Sequence, residues 1–199
     1  MKIKTNTKIN EKQLSQNENI NFGVIEDSEN YTLQNLQKLL EPIKINTKQK
    51  KHDNQWDNYN EYKHANKWLK RITTEKGNFL TIYTYKQQNK LLGIAFTCEG
   101  IILHDFINKY KLKPNNLSKT TKFGPFHIIK SARGVGTKWM TEIIFPYLKK
   151  RGFNEIFIET SHKKAFSLYQ RLGKEVAEYT KSSDNGKLIR KGKVFKIIL

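Results

Sequence analysis

Apolar positions along the chain recur with two periods, near 2 and near 3.6, and the switches between them divide it into strands and helices. Ile20, Phe22 and Val24 alternate with Asn21, Gly23 and Ile25, a short strand that stops at Glu26-Asp27-Ser28, where Asp27 or Ser28 can cap a helix. Leu33, Leu36 and Leu40 then fall at i, i+3 and i+7, a helical stripe closed by Pro42. After the polar stretch 46–54, Trp56, Tyr59, Tyr62, Ala65, Leu69 and Ile72 follow three- and four-residue steps, predicting a second helix whose aromatic face packs on a sheet. The runs 79–85 and 91–96 are β-branched and aromatic and flank Gln87-Gln88-Asn89, the pattern of a hairpin.

The second half continues the alternation. Phe126 to Ile129 reads as a strand, followed by Ser131-Ala132-Arg133-Gly134-Val135-Gly136 and a helix from about Thr137 carrying Trp139, Met140, Ile143, Ile144 and Tyr147. Pro146 removes one helical donor and predicts a kink or split, and Gly152 a stop. Residues 156–158 form a short buried strand. Ala165, Leu168, Tyr169 and Leu172 mark another helix, with Gly173 in the position where a left-handed glycine ends helices. Two strands, 176–180 and 187–199, close the chain around a turn at 183–186. The predicted order is β α α β β β α β α β β, without internal repeat. Residues 1–19 read as a polar leader or marginal edge strand, 20–199 as one domain, and 98–122 as an insertion within it.

Composition narrows the function classes. At 199 residues, 37% hydrophobic and 12% aromatic, the chain can bury a core of its own. Nothing approaches the ~20 consecutive apolar residues of a membrane span, and residues 1–6 lack the apolar run of a signal peptide, so a cytoplasmic location is expected. The single cysteine, Cys98, reads as a small buried hydrophobe on a strand. Charge changes the picture more: 37 Lys+Arg against 18 Asp+Glu give a net +19, a field that admits nucleic acid or a phosphate-bearing cofactor. Only 5 of the basic residues are Arg, whereas readers of phosphates and base edges lean on Arg forks, and the lysines are spread in short clusters such as 109–122 rather than one arm. Nucleic acid is therefore a possible but not the favoured partner.

One loop carries candidate chemistry. A strand running through Gly134 and Gly136 into a helix is a phosphate-binding device, because first-turn N–H groups have no intrahelical acceptor and carry partial positive charge. Two alternatives fail: a dinucleotide fingerprint needs a third glycine where Trp139 stands, and a P-loop needs a Gly-Lys-Ser/Thr ending.

Together with the element order, this loop resembles the pyrophosphate loop of the GNAT superfamily of acetyl-CoA-dependent N-acetyltransferases, Gln/Arg-x-x-Gly-x-Gly/Ala. It matches at both glycines and departs at Ser131; either Ser131 or Arg133 takes the first position. A second segment, from His162 to Lys174, is similar to the family pattern Asn-x-x-Ala-x-x-Leu-Tyr-x-x-x-Gly-Phe, matching at Ala165, Leu168, Tyr169 and Gly173 and departing at His162 and Lys174. The resemblance implies an α+β (mixed α/β) fold with a central, mostly antiparallel sheet flanked by helices. It also implies acetyl-CoA bound by Ile129, Ser131, Ala132, Arg133, Gly134, Val135, Gly136, Thr137, Lys138 and His162, with the cofactor in a cleft where two strands splay apart.

The mechanism it implies is direct attack of an amine on the thioester, with Tyr169 as general acid to the leaving thiolate; a phenol with a pKa near ~10 is protonated at neutral pH. The attacking amine must be neutral, and an alkyl ammonium with a pKa of about 10.4 costs about 4.6 kcal/mol to deprotonate at pH 7. His127, Glu159 and His162 are the candidate bases, none singled out. The rival readings are a nucleic-acid-binding module using lysines 109–122 and the second helix's aromatics, and a CoA-binding regulator without catalysis. The acceptor itself is not specified by the sequence, although the lysine content favours neutral or anionic amines.

Overall fold

β-branched and aromatic runs become strands, and amphipathic stretches become helices laid on both faces of the sheet they form. The computed structural model describes residues 11–17, 20–26, 32–41, 61–128, 134–182 and 189–199. Its strands are β1 (Lys12–Asn17), β2 (Ile20–Ile25), β3 (Asn78–Gln87), β4 (Lys90–Gly100), β5 (Thr120–Ile128), β6 (Glu155–Thr160), β7 (Lys174–Ser182) and β8 (Ile189–Ile198). Its helices are α1 (Leu33–Lys38), α2 (Glu61–Thr74), α3 (Ile101–Tyr110), a continuous α4 over residues 135–150, and α5 (Lys163–Leu172). The strands make one sheet in the order β1-β2-β3-β4-β5-β6-β8-β7, antiparallel throughout except for β5 beside β6. Among the described residues no helix is long and apolar enough to cross a membrane.

This is the expected order with two elements added. β1 pairs with β2 as an edge strand, and α3 fills part of the stretch read as an insertion. Helix α3 is hard to see in the sequence because no polar cap announces it. It springs directly from β4 at Gly100, whose φ is +79° and where a Cβ would stand 1.9 Å from the carbonyl oxygen of Gly77. The parallel strand also starts six residues before the apolar run at Phe126. Thr120, Thr121 and Lys122 look like loop residues, yet each is buried and partnered across the sheet, by Glu155, Glu99 and Glu159 respectively.

Other local expectations resolve individually. The cap of α1 is Thr32, whose hydroxyl accepts from the Asn35 N–H at 3.1 Å, rather than Asp27 or Ser28, which lie outside the described residues, as do Trp56, Tyr59 and the turn at 183–186. Gln88 and Asn89, both at positive φ, make the two-residue hairpin turn between β3 and β4. Helix α4 does not break at Pro146 but changes its winding ahead of it: an α-turn at Val135–Lys138, a π-helical stretch at Trp139–Ile144, then α again from Phe145 with the proline in its first turn. Gly152, at φ +91°, ends it with the Phe153 N–H on the Leu148 carbonyl and its own N–H on Lys149, a Schellman cap. Gly173 is a correction, because its backbone is extended rather than left-handed. Glycine is needed there for closeness, since a Cβ would meet the Lys196 carbonyl oxygen at 2.3 Å.

Each face of the sheet holds its own apolar layer. Helices α4 and α5 cover one face through Trp139, Met140, Ile144, Leu148 and Tyr169 against Tyr83, Tyr85, Phe123, Ile158 and Phe195. On the other face α1, α2 and the start of α3 bury Leu36, Leu40, Ala65, Leu69, Ile72 and Ile102 against Ile25, Ile82, Ile94, Phe96 and Cys98. The described part of the α2 stripe thus packs into the core through Ala65, Leu69 and Ile72, and burial pushes the Cys98 thiol pKa up, keeping it an unreactive apolar group. A smaller cluster seats Phe106 and Leu112 on Phe157 and Val194.

Candidate active site

The sheet comes apart at one place. β5 pairs with β6 only over Thr120–Phe123 against Glu155–Ile158; beyond that β5 follows β4 to Ile128, and β6 follows β8 to Thr160. The parting coincides with a bulge, since Phe123 faces Thr97 and Phe126 faces Ala95, so that Gly124 and Pro125 together stand opposite Phe96. Pro125 has no N–H to offer a neighbouring strand. Gly124 has no room for a side chain, because a Cβ would lie 2.3 Å from the Trp68 ring of α2. The gap opens into a cavity of about 440 Å³ that runs through the sheet from one face to the other.

On the α4/α5 face the cavity is bounded by Phe126, Ile158, His162, Ala165 and Tyr169. Tyr169 is 6% exposed, its ring 5.7 Å from that of Phe195, and burial pushes its phenol up to about 12. It therefore holds its proton across the whole neutral range. His162 occupies the N-cap position of α5, its backbone N–H donating to the Thr160 hydroxyl at 3.1 Å. Gly134 enters α4 at φ +100° with nothing within 4 Å of where a Cβ would stand. The two glycines serve different ends: a Cβ on Gly136 would lie 2.9 Å from Ile128 and 3.2 Å from the Phe126 ring. Thr137 and Lys138 are exposed, and Val135 half-buried. Trp139, where a dinucleotide fold needs its third glycine, is fully buried among Phe22, Tyr85 and Phe126.

On the α2/α3 face the walls are side chains from five elements. The Lys122 ammonium lies 4.6 Å from the Trp68 ring centre, 4.4 Å from that of Phe106, and 3.0 Å from a Glu159 oxygen. The Tyr110 hydroxyl donates to the other Glu159 oxygen at 2.9 Å. Burial would raise the Glu159 carboxyl, but the Lys122 ammonium and the Tyr110 donor outweigh it and hold the pKa below the ordinary carboxylate value. Tyr110 and Tyr179 lie with ring centres 5.4 Å apart, both phenols raised by burial and by the Glu159 charge. Lys109 sits 4.5 Å over the Tyr110 ring, and Lys181 lines the β7 side.

Comparison with known proteins follows from this geometry. No protein-family model matches the chain, and no curated protein matches it in sequence. Solved structures do. The ribosomal-protein-alanine N-acetyltransferase from Brucella melitensis superposes with a TM-score of 0.52 at 11% identity over 88% of this chain and 99% of its own. An acetyl transferase from Salmonella typhimurium that modifies the N-terminal serine of 50S ribosomal subunit protein L7/L12 gives 0.54 at 10% identity, over 94% and 99%. A ribosomal L7/L12 alpha-N-protein acetyltransferase in complex with coenzyme A gives 0.53 at 12%, over 94% and 98%. This chain has the GNAT fold.

Within the GNAT fold, the residues singled out from sequence separate into three groups. Gly134, Val135, Gly136, Thr137 and Lys138 stand together at the start of α4, while Tyr169 and His162 line the cavity. Ile129, Ser131, Ala132 and Arg133 lie outside the described residues. Of the candidate bases, Glu159 and His162 line the cavity, whereas His127, 5% exposed on β5, is not among its lining residues. The sequence did not point to Trp68, Tyr110 or Tyr179 as site residues. Lys109 and Lys122 stood out only as members of a lysine cluster, and the structure turns both toward the cavity.

Proposed function

We propose that this protein is an acetyl-CoA-dependent N-acetyltransferase that acts on a primary amine. The observation that carries the reading is the cavity through the parted strands, with a buried tyrosine that keeps its proton across the neutral range on one wall. The start of α4 suits a diphosphate: Gly134 leaves a side-chain-sized space open, and the first-turn N–H groups of residues 135–137 have no intrahelical acceptor. Residues 134–138, with Ile129, Ser131, Ala132 and Arg133 before them in sequence, would hold the coenzyme's phosphates, and His162 would border its arm. Bound there, acetyl-CoA supplies an acetyl thioester open to direct attack by an amine.

The chain's own residues then manage one proton. As the C–N bond forms and the C–S bond breaks, nitrogen gives up a proton and sulfur must gain one. Tyr169 is the donor on the sulfur side, a general acid reloaded from the nitrogen side through water. Glu159, held ionised by Lys122 and Tyr110, is a weak base, so the amine arrives neutral from solvent. Against the nucleic-acid reading, Ala65, Leu69 and Ile72 of the α2 stripe pack into the core and Lys122 is held against two rings.

The test is calorimetric titration with acetyl-CoA followed by thiol release over a panel of amines. We expect saturable binding, and CoA release only when acetyl-CoA and an amine are both present. Absence of binding overturns the proposal; binding without amine-dependent release reduces the protein to a coenzyme-binding regulator.

A further inference from the structure

The α2/α3 wall of the cavity is built from rings, and the way they are seated bears on the acceptor. Phe106 and Tyr110, one turn apart on α3, meet edge to face with ring centres 5.0 Å apart, and Tyr179 of β7 follows at 5.4 Å from Tyr110. On the other side the Lys122 ammonium lies 4.4 Å from the Phe106 ring centre and 4.6 Å from that of Trp68. Trp68, Tyr110 and Tyr179 are half-buried, and all three line the cavity. Two of them rest directly on glycine backbone. A Cβ on Gly124 would run into the Trp68 ring, and one on Gly192, the cross-strand partner of Tyr179, would run into the Tyr179 ring. Glycine at both places lets the rings lie close on the sheet, where any other residue would push them outward.

The polar groups among these rings already have partners. Lys122 and the Tyr110 hydroxyl hold the two Glu159 oxygens. Cations already sit over the rings, Lys122 beside Trp68 and Phe106 and Lys109 over Tyr110. An acceptor therefore gains little on this wall from an ammonium, which must in any case be neutral when it attacks. It gains from a ring of its own, through buried area and through offset or edge-to-face contact.

We propose that the acceptor is a primary amine joined by a short chain to an aromatic ring, either a free arylalkylamine or the first residue of a peptide that begins with Phe, Tyr or Trp, with Trp68 and Tyr179 as the residues that select it. This rests on the acetyltransferase reading above. The cavity, at about 440 Å³ and running through the sheet, can take the ring on the α2/α3 wall while the amine reaches between the parted strands toward Tyr169.

The experiment first measures acetyl-CoA binding, then compares thiol release for two matched sets of amines: phenethylamine against cyclohexylethylamine, and the amidated tripeptides Phe-Ala-Ala against Leu-Ala-Ala and Ala-Ala-Ala. Each pair keeps the amine and nearly the same apolar bulk, so the ratio within a pair reads the ring alone. In the leading set the aromatic member should exceed its aliphatic counterpart at least ten-fold in kcat/KM, mostly through KM. Which set leads identifies the source. Trp68→Leu and Tyr179→Leu should each bring that ratio down to about three-fold or less by raising KM for the aromatic member. Tyr179→Phe, which keeps the ring, should restore it. Thermal melts accompany the kinetics; should Trp68→Leu fail to fold, the two Tyr179 variants decide alone.

Acetyl-CoA binding with equal or better turnover of cyclohexylethylamine and Leu-Ala-Ala overturns the acceptor class and leaves the acetyltransferase reading standing. Binding without turnover of any of these amines also counts against the acceptor class. A ratio that survives in every folded leucine variant overturns the assignment to Trp68 and Tyr179. Absence of acetyl-CoA binding removes both readings.

Discussion

On the α4/α5 face, where Phe126, Ile158, His162, Ala165 and Tyr169 bound the cleft, the candidate residues fall in two short motifs, two glycines at the start of α4 and a tyrosine seven residues after the N-cap of α5. On the α2/α3 face it is bounded by Trp68, Lys109, Tyr110, Lys122, Glu159 and Lys181, which come from five elements. In the proposed function the first side would work mainly through backbone donors and one buried phenol, whose properties follow from local conformation and burial. The second would work through a set of rings and matched charges that exists only once the strands have been assembled. A fold can thus keep the side proposed for the coenzyme recognisable while the opposite side follows no local pattern, because nothing local constrains it.

The largest effect that would break this contrast is on the first side. Tyr169→Phe removes the donor and little volume, so kcat should fall about 10²-fold, the scale of general acid catalysis, with the acetyl-CoA Kd unchanged in calorimetry. Unaltered kcat would move the chemistry elsewhere in the cavity. Wild-type rates should show no loss attributable to Tyr169 up to pH 10, because its phenol titrates only near about 12. They should instead rise with pH as the acceptor amine becomes neutral.

On the second side Lys122→Met deserts Glu159. Lys122's side chain is 5% exposed and Glu159's 31%, so the cost should be about 2 kcal/mol, below the range for breaking fully buried pairs. Differential scanning calorimetry should show a Tm lower by about 6 °C, with part of the loss recovered in Lys122→Met/Glu159→Gln. The sign with pH follows from the lowered carboxyl. The pair's contribution is complete above the unfolded value of about 4.3 and fades as pH falls through the lower folded value, so mutant and wild type should converge in acid. Equal Tm values at pH 7 would mean that the pair fixes geometry without adding stability.

The same contrast explains what could be read from the sequence. The sheet-and-helix order was legible because Leu33, Leu36 and Leu40, or Ala165, Leu168, Tyr169 and Leu172, repeat at helical spacing regardless of distant partners. The start of β5 was not, because Thr120, Thr121 and Lys122 are polar residues whose burial is made tolerable by Glu155, Glu99 and Glu159 on neighbouring strands. Helix α3 was hidden because its start is a tight glycine junction rather than a capping side chain. Tyr169 could be placed by motif, whereas Trp68 lies among α2's lysines and gains its meaning only from Gly124, far along the chain and beneath its ring.

A smaller effect separates the two glycines. Gly134→Ala meets no atom but must hold φ near +100°, costing about 1 kcal/mol in stability through backbone strain. Gly136→Ala meets no such strain but pushes on Ile128 and Phe126, so it should displace the first turn of α4 and weaken acetyl-CoA binding more than it lowers Tm. Titration and thermal melts of the two variants side by side test this; identical profiles would show that the turn acts as one unit.

The smallest expected effect lies where the strands are still zipped, and it acts on neither side of the cleft. Glu99 stands next to last in β4, its carboxylate accepting from the Thr121 hydroxyl at 2.6 Å. Burial pushes its pKa above the ordinary value, although the Thr121 donor and Arg151 pull the other way. A raised folded pKa means that Glu99 favours the fold below the unfolded value of about 4.3, and that this contribution is lost as pH rises through the folded value. Glu99→Gln keeps an oxygen for Thr121 and has no charge to desolvate. Its Tm should exceed wild type by about 2 °C at pH 7.5, and the gap should close toward pH 4. Neither the acetyl-CoA Kd nor acceptor KM should shift. A lower Tm at pH 7.5 would instead mean that attraction to Arg151 outweighs burial, making the closed end of the sheet an electrostatic clamp rather than a packed seam.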